Sequence, residues 1–156
     1  MFSYIIFGVL FVVALWCAWH ISVADWRRRI IPDPYLFPLI FIGFLVVTCV
    51  PWVCGPRDAA IGAAFGYLLS VIVGFVFDWV RRRRDPDAPS PIGMGDIKLM
   101  GVGGLWLGAS GLAYALVLTC IAGGLWGMLR KQKFIPFAPF FIASGILTLI
   151  AMLFLI

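Results

Sequence analysis

The chain has 156 residues, of which 63% are hydrophobic and only 12% are charged. Soluble domains are about 45–50% apolar and about 25% charged, so this composition excludes an ordinary water-soluble globule. The formal net charge of +5 does not indicate nucleic-acid binding, because the basic residues lie in short segments between long apolar runs. We expect a single domain covering residues 1–156.

Two apolar runs at the start of the chain predict membrane-spanning helices. The first is expected over residues 2–24, which carry no charged residue. Each run is close to the roughly 20 residues that a helix needs to cross a bilayer core. After the polar stretch 25–29, we expect Asp33 to cap the second helix, which begins with Pro34 and ends near Val53.

A third apolar run is followed by an unusually long one. The third helix is expected from about Asp58 to the arginine run 81–84, before a proline-rich loop at 85–91. Residues 99–129 carry no charge, and one straight helix of that length would extend about 46 Å. Because the bilayer core is only ~30 Å thick, we expect the helix to break at 108–111.

The break divides the rest of the chain into three helices. They are expected from about 92 to 107, from 112 to 129 and from 134 to 156. With six helices and an outside N-terminus, every basic residue except Arg57 lies on the cytoplasmic side, as the positive-inside rule requires. The sequence thus predicts an all-α integral membrane protein with about six transmembrane helices and both termini outside the cytoplasm.

All the acidic residues are aspartates, and most of them have an ordinary structural explanation. Asp78 is expected to pair with Arg81 or Arg82, one helical turn later. Three acids are expected to be solvated in loops, namely Asp58, Asp85 and Asp87.

Asp25 and Asp96 are the acids best placed for chemistry. Asp25 ends the first helix and Asp96 lies near the start of the fourth, so both are expected on the cytoplasmic side at similar depth. Two carboxylates in a poorly solvated site can share one proton, so that one activates water while the other polarises a carbonyl. This is the chemistry of aspartic proteases, although position alone is equally consistent with two interfacial helix caps.

The residues around Asp96 indicate where a substrate would approach. Gly93 and Gly95 have no side chains and permit positive φ, so we expect an extended substrate segment to reach the main chain there. A turn before a helix would also use glycine. Lys98 is expected to extend to lipid headgroups, or alternatively to act on a nearby aspartate. Gly93, Gly95 and Lys98 are therefore the candidate substrate-binding residues.

Three segments together resemble type IV prepilin peptidases. The sequence Gly-Met-Gly-Asp-Ile-Lys-Leu at 93–99 resembles the Gly-x-Gly-Asp-x-Lys-Leu motif of that family. Asp25 and the Ile-Pro-Asp sequence at 31–33 resemble the family's other aspartate with its downstream Ile/Leu-Pro-Asp/Asn. Residues 135–140 are similar to a late Pro-Phe-Gly-Pro-Phe segment, with Ala138 in place of the glycine.

The resemblance implies a membrane-embedded aspartyl endopeptidase that removes the short basic leader of pilin-like precursors at the cytoplasmic side of the prokaryotic inner membrane. It implies that Asp25 and Asp96 are catalytic and that no cofactor or metal takes part. The chain has no Cys-x-x-Cys pairs and so resembles peptidase-only members, such as those that serve Flp pilins. We therefore expect no separate N-terminal methyltransferase region. The expected partners are pilin-like precursors and the lipid bilayer, without nucleic acid.

Three other functions stay open at this stage. An ion- or proton-coupled transporter subunit would also place carboxylates in a membrane. A metal-dependent enzyme of lipid headgroups would use Asp25, Asp33 and Asp96 around Mg²⁺. A structural component of a secretion or pilus assembly would need no catalytic residue.

The single histidine and the four cysteines have structural interpretations. His20 is expected to pack at the membrane interface, with an influence on Asp25 as the alternative. The cysteines are expected to be small packing residues, with a disulfide between Cys49 and Cys54 as the alternative.

Overall fold

The computed structural model describes residues 2–83, 92–131 and 135–155. Within these residues every regular element is a helix, and the helices are α1 (Phe2–Arg28), α2 (Asp33–Cys49), α3 (Pro56–Arg82), α4 (Met94–Arg130) and α5 (Phe137–Leu155). All of these except α2 are long and apolar enough to cross a membrane, and α2 is apolar but has only 17 residues. The chain is thus all-α, with the helices of an integral membrane protein.

The boundaries of α2 differ from the predicted ones. The helix ends at Cys49 rather than near Val53, because Pro51 follows closely and cannot continue a helical hydrogen-bond ladder. At the other end, Pro32 is the N-cap and no side chain caps the helix. The prediction that Asp33 is the N-cap is therefore wrong, and Asp33 is the first helical residue.

The ends of the other helices are also shifted. The first helix continues past residue 24 to Arg28, since basic residues are favourable in a last helical turn. The fourth begins at Met94, and α5 begins at Phe137. The predicted start of the last helix at 134 and the predicted loop at 85–91, with its two acids, lie outside the described residues.

The backbone of α4 breaks at Gly108. This glycine has φ 71° and ψ −178°, a conformation that is essentially restricted to glycine. The Leu112 side chain lies against Gly103, although nine residues of straight helix would separate these positions by about 13 Å. Helix α4 therefore consists of two arms, a first arm over 94–107 and a second arm over 109–130, which fold back on each other.

The contacts of α5 show that the two arms run in opposite directions. As residue numbers rise along α5, the residues it contacts rise in number along the first arm and fall in number along the second arm. Helix α5 is therefore parallel to the first arm and antiparallel to the second. The contacting pairs are Gly103 with Phe141 and Leu107 with Gly145 for the first arm, and Gly111 with Met152 and Gly123 with Phe140 for the second. The break expected at 108–111 is thus present, and it forms a helical hairpin.

Glycines allow α3 and the first arm to pack with their backbones in contact. Gly62 lies against Gly104, and Gly66 lies against the carbonyl group of Met100. A methyl group on Gly104 would overlap the carbonyl oxygen of Gly62. Small residues four apart let membrane helices approach closely, because van der Waals packing rather than the hydrophobic effect drives their association in lipid.

These pairings gather the charged residues at one end of the bundle, which we name the charged end. It holds the end of α1 and the start of α2, the end of α3, the start of the first arm, the end of the second arm and the start of α5. The Trp26–Trp126 contact joins two of these segments, with 5.3 Å between ring centroids. Among the described basic residues, only Arg57 lies at the opposite end, beside the contact between Asp58 and Gly108.

Candidate active site

Asp25 lies in the last turn of α1 and is buried, with 5% of its surface exposed. Its Oδ2 accepts a hydrogen bond of 2.8 Å from the backbone N–H of Ala138. Burying a carboxylate is costly unless charge-assisted hydrogen bonds replace its water shell. The bond therefore stabilises the buried acid and joins the end of α1 to the start of α5.

The start of α5 is suited to presenting this donor. The helix begins at Phe137, so the N–H of Ala138 belongs to the first turn, whose N–H groups have no acceptor within the helix. Pro136 and Pro139 have no N–H to offer, and Phe137 also directs its N–H toward the carboxylate of Asp25. The positive end of the α5 dipole thus faces an acid, which is the favourable arrangement.

Asp96 lies in the first turn of α4 and is partly buried. Its backbone N–H donates to the carbonyl oxygen of Gly93 at 3.1 Å, and Gly93 is the N-cap of the helix. The backbone N–H of Gly93 in turn interacts with the Asp96 carboxylate. Asp96 is thus an acid in the first turn of a helix, where the positive end of the helix dipole favours a negative charge.

Asp25 and Asp96 come together at the charged end. Their carboxylates are close enough to interact electrostatically, although the residues are 71 positions apart in the sequence. Two negative charges at short range in a poorly solvated site repel each other, which favours a single proton held by the pair. The arrangement can therefore supply one carboxylate as a base and one carboxylic acid as a proton donor.

An apolar cleft of about 430 Å³ lies between α1, the first arm and α5. Its lining includes Ala18, Leu99 and Phe141. Leu99 follows Asp96 by one turn of the first arm, and Phe141 follows Ala138 by one turn of α5. The apolar lining thus begins one helical turn from Asp96 and from the donor to Asp25.

The turn between α1 and α2 packs against the start of α4. Arg29 has a left-handed backbone with φ 55°, and its N–H donates at 2.9 Å to a carbonyl oxygen in the last turn of α1, which ends the helix. Ile31 then occupies the space beside Gly95. The carboxylate oxygens of Asp33 accept hydrogen bonds of 2.8 and 2.9 Å from Nζ of Lys98.

Comparison with known proteins identifies the family of the chain. The sequence profile described as the type IV leader peptidase family matches residues 6–128, which include both aspartates. The chain belongs to the type IV leader peptidase family. The resemblance to this family is thereby confirmed, and the matched range contains the segments at 25–33 and 93–99, whereas the segment 135–140 lies beyond it.

Several proteins named prepilin leader peptidase/N-methyltransferase are similar to this leader peptidase family member. One from Burkholderia pseudomallei (strain K96243) is 31% identical over 135 residues, which cover 82% of this chain and 41% of the relative. One from Stutzerimonas stutzeri is 30% identical over 137 residues, 83% of this chain and 45% of the relative. One from Pseudomonas aeruginosa is 29% identical over 142 residues, which cover 86% of this chain and 47% of the relative. The chain thus spans less than half the length of these relatives, and no solved structure matches it.

The glycines of the Gly-x-Gly-Asp motif do not have positive φ in this family member. Gly93 has φ −72°, and in the described part of the chain Gly108 is the glycine with positive φ. The freedom of Gly93 and Gly95 to adopt positive φ is therefore not used, and the approach of an extended substrate segment to their main chain stays a prediction. The missing side chain of Gly95 makes room for Ile31 instead, whereas Gly93 is exposed.

Lys98 forms an ion pair with Asp33. The expectation that Lys98 extends to lipid headgroups is therefore wrong. The same pair bears on the Mg²⁺ alternative, because the Asp33 carboxylate is directed to Lys98. In the described ranges, Asp25, Asp33 and Asp96 do not form a group with the spacing of metal ligands.

The expected pairing of Asp78 is confirmed, and His20 is found to be a packing residue, although its position at the membrane interface stays a prediction. Asp78 pairs with Arg82, with 2.8 Å between Oδ2 and Nε. His20 packs among aromatic side chains, stacked on Tyr35 at 4.9 Å between ring centroids and in edge contact with Trp16.

The residues around the connection between α2 and α3 rule out one alternative and one expectation, whereas Cys54 is a buried packing residue as expected. Cys49 and Cys54 are free thiols, so the alternative of a disulfide between them is wrong. Burial raises the pKa of the Cys54 thiol to about 11, and the nearby charge of Asp58 acts in the same direction. Asp58 is not a solvated loop residue, since it lies in the first turn of α3 beside Gly108.

Sequence reasoning missed the groups that hold the two acids in place. The backbone N–H of Ala138 cannot be read from a side chain, and only the similarity of residues 135–140 to a family segment marked its neighbourhood. Ile31 and Asp33 lie in the segment that resembles the downstream motif of Asp25. The family resemblance therefore indicated the segments, but it did not indicate what these residues contact.

Proposed function

We propose that this family member is an aspartyl endopeptidase that removes the short basic leader from type IV pilin-like precursors at the cytoplasmic side of the inner membrane. The observation that carries the proposal is the position of two poorly solvated acids at the charged end, Asp25 in the last turn of α1 and Asp96 in the first turn of α4, whose carboxylates interact electrostatically. The matched relatives are named as prepilin leader peptidases. Their names also include N-methyltransferase, and our proposal for this chain is limited to the peptidase.

The proposed reaction uses water as the nucleophile and the two aspartates as the catalytic residues. The carboxylate of the pair takes a proton from water while the water oxygen forms a bond to the scissile carbonyl carbon. The carboxylic acid of the pair gives its proton to the carbonyl oxygen, which produces a neutral tetrahedral diol. The diol then returns a proton to the pair, the leaving nitrogen receives a proton, and the C–N bond breaks.

We propose six membrane crossings for this family member. They consist of α1, α2, α3, the two arms of α4, and α5, and this arrangement has both termini at the end opposite the charged end. The basic residues at the charged end favour a cytoplasmic position. The first arm is only about 21 Å long at 1.5 Å per residue, shorter than the ~30 Å core, so Asp96 at its start lies close to the hydrocarbon region.

The proposed substrate fits a site at this depth. A precursor with a basic leader and an apolar helix can lie in the bilayer beside the enzyme, with its scissile bond near the cytoplasmic surface. The bond must leave its helical hydrogen bonds before it is cut. We propose that the exposed Gly93 borders the path of that extended segment.

The test is cleavage of a co-expressed Flp-type pilin precursor, followed by gel mobility. Asp25→Asn and Asp96→Asn keep the shape of each side chain and remove its titratable proton. We expect each change to abolish processing while the protein still inserts. Asp78→Asn, an acid at the same end that pairs with Arg82, is the matched control and is expected to process normally. Processing by both dyad variants would refute the proposal.

A further inference from the structure

The α1–α2 turn contacts α4 on both sides of Asp96. Ile31 packs against Gly95, one residue before Asp96, and Asp33 pairs with Lys98, two residues after it. The turn itself starts directly after the last turn of α1, which carries Asp25. The same short segment is therefore attached to both acids of the proposed site.

We propose that the Asp33–Lys98 ion pair and the Ile31–Gly95 contact form a clamp, which keeps the Asp25 and Asp96 carboxylates at the distance from each other that catalysis requires. Asp33 and Lys98 are then positioning residues of the reaction, and Lys98 does not bind substrate. This inference rests on the proposed peptidase function.

The clamp follows from the shortness of the connection. Only eight positions separate Asp25 from Asp33, and the left-handed backbone of Arg29 turns the chain directly at the end of α1. A displacement of Asp33 relative to Lys98 is therefore transmitted to the last turn of α1. Catalytic rates are sensitive to shifts of about 1 Å in reacting groups. A small displacement of the α1–α2 turn relative to α4 should therefore change the rate.

The ion pair is partly exposed, which separates a positioning role from a purely structural one. The side chains of Lys98 and Asp33 are 38% and 47% exposed, and ion pairs with this exposure contribute little to global stability. Both carboxylate oxygens of Asp33 nevertheless bind the same ammonium group, which fixes the direction of the contact. Loss of the pair should therefore affect the alignment of the acids more than the stability of the fold.

The contact between Ile31 and Gly95 determines how closely the α1–α2 turn approaches the first arm on the other side of Asp96. A Cβ atom on Gly95 would lie 2.7 Å from Cβ of Ile31, a distance that the two backbones cannot accommodate without moving apart. The corresponding atom on Gly93 would have only an Asp96 oxygen nearby, at 3.4 Å. Gly95→Ala therefore separates the turn from the first arm, whereas Gly93→Ala leaves them in place.

The first experiment measures kcat and KM for cleavage of the Flp-type precursor in proteoliposomes. We expect Asp33→Asn and Lys98→Met to lower kcat by roughly 10- to 100-fold, with KM and the melting temperature nearly unchanged. We expect Gly95→Ala to lower kcat to a similar extent, together with a lower melting temperature, because the added methyl group forces the turn and the first arm apart. The double change Asp33→Lys with Lys98→Asp rebuilds the pair in reverse and should recover most of the lost rate. Arg82→Gln breaks the other ion pair at the charged end and should leave kcat unchanged.

A second experiment does not depend on activity. Spin labels at Arg28→Cys and Met94→Cys, both exposed positions, report the distance between the end of α1 and the start of α4. The distance distribution should broaden in Lys98→Met and stay narrow in Arg82→Gln. Failure of the wild type to cleave the precursor would contradict the proposed function but would leave this measurement valid.

Three results would overturn the clamp. The first is a rise in KM at unchanged kcat for Lys98→Met, which would assign Lys98 to substrate binding. The second is the absence of rescue by the reversed pair. The third is an unchanged spin-label distance distribution in Lys98→Met.

Discussion

The backbone N–H of Ala138 donates a hydrogen bond of 2.8 Å to Oδ2 of Asp25. The two residues are 113 positions apart, and the bond joins the last turn of α1 to the first turn of α5. An acid in the last turn of a helix faces the negative end of its own dipole, which is unfavourable. The start of α5 offsets this with a donor and with the positive end of a second helix dipole.

Ala138→Pro removes this donor and should impair the proposed peptidase activity. Proline is tolerated in a first helical turn, because the N–H that it lacks has no acceptor within the helix. A hydrogen bond to a charged group contributes about 1.5–3 kcal/mol, so we expect kcat for the precursor to fall roughly 10- to 100-fold. Steady-state cleavage in proteoliposomes measures this change.

Two matched variants separate the hydrogen bond from side-chain size at this buried position. Ala138→Gly and Ala138→Val both keep the N–H, and one removes volume while the other adds it. If Ala138→Pro cleaves the precursor as fast as these controls, the bond has no part in positioning Asp25.

Gly108→Ala should destabilise the helical hairpin of α4. Gly108 has φ 71° and ψ −178°, where other residues are strained by about 1–3 kcal/mol, and an added methyl group would overlap the Asp58 carboxylate. We expect a lower melting temperature in detergent micelles, followed by circular dichroism. Gly124→Ala is the control, because a methyl group there meets no atom within 4 Å. Equal melting of Gly108→Ala and the wild type would contradict the assigned break.

The proposed orientation can be tested without any substrate. Arg57 and Arg130 are exposed and lie at opposite ends of the bundle. In a background without the four native cysteines, we expect a membrane-impermeant maleimide to label Arg57→Cys in intact cells and Arg130→Cys only after lysis. Arg57 is expected outside because the other described basic residues cluster at the charged end, which favours the cytoplasm. The reverse labelling pattern would show that the charged end faces outward.

The sequence by itself determined the class of the protein and its two principal acids. Long apolar runs have to be helices in a bilayer, since an unpaired backbone group is costly there, and this fixed the all-α architecture. The length of the run 99–129 required a break, and the glycines at 108–111 located it. Asp25 and Asp96 stood out because the other acids of the described chain had local explanations.

Only the tertiary structure decided what holds these acids in place. The sequence assigned Asp33 to a helix cap and Lys98 to lipid headgroups, since each reading used only nearby residues. The structure pairs them with each other instead, and it pairs Asp25 with a main-chain N–H of α5. The physical reason is that helix formation depends on neighbours within a few residues, whereas these contacts depend on which helix faces pack together. A backbone donor has no side-chain identity, so its role appears only once the two helices are in contact.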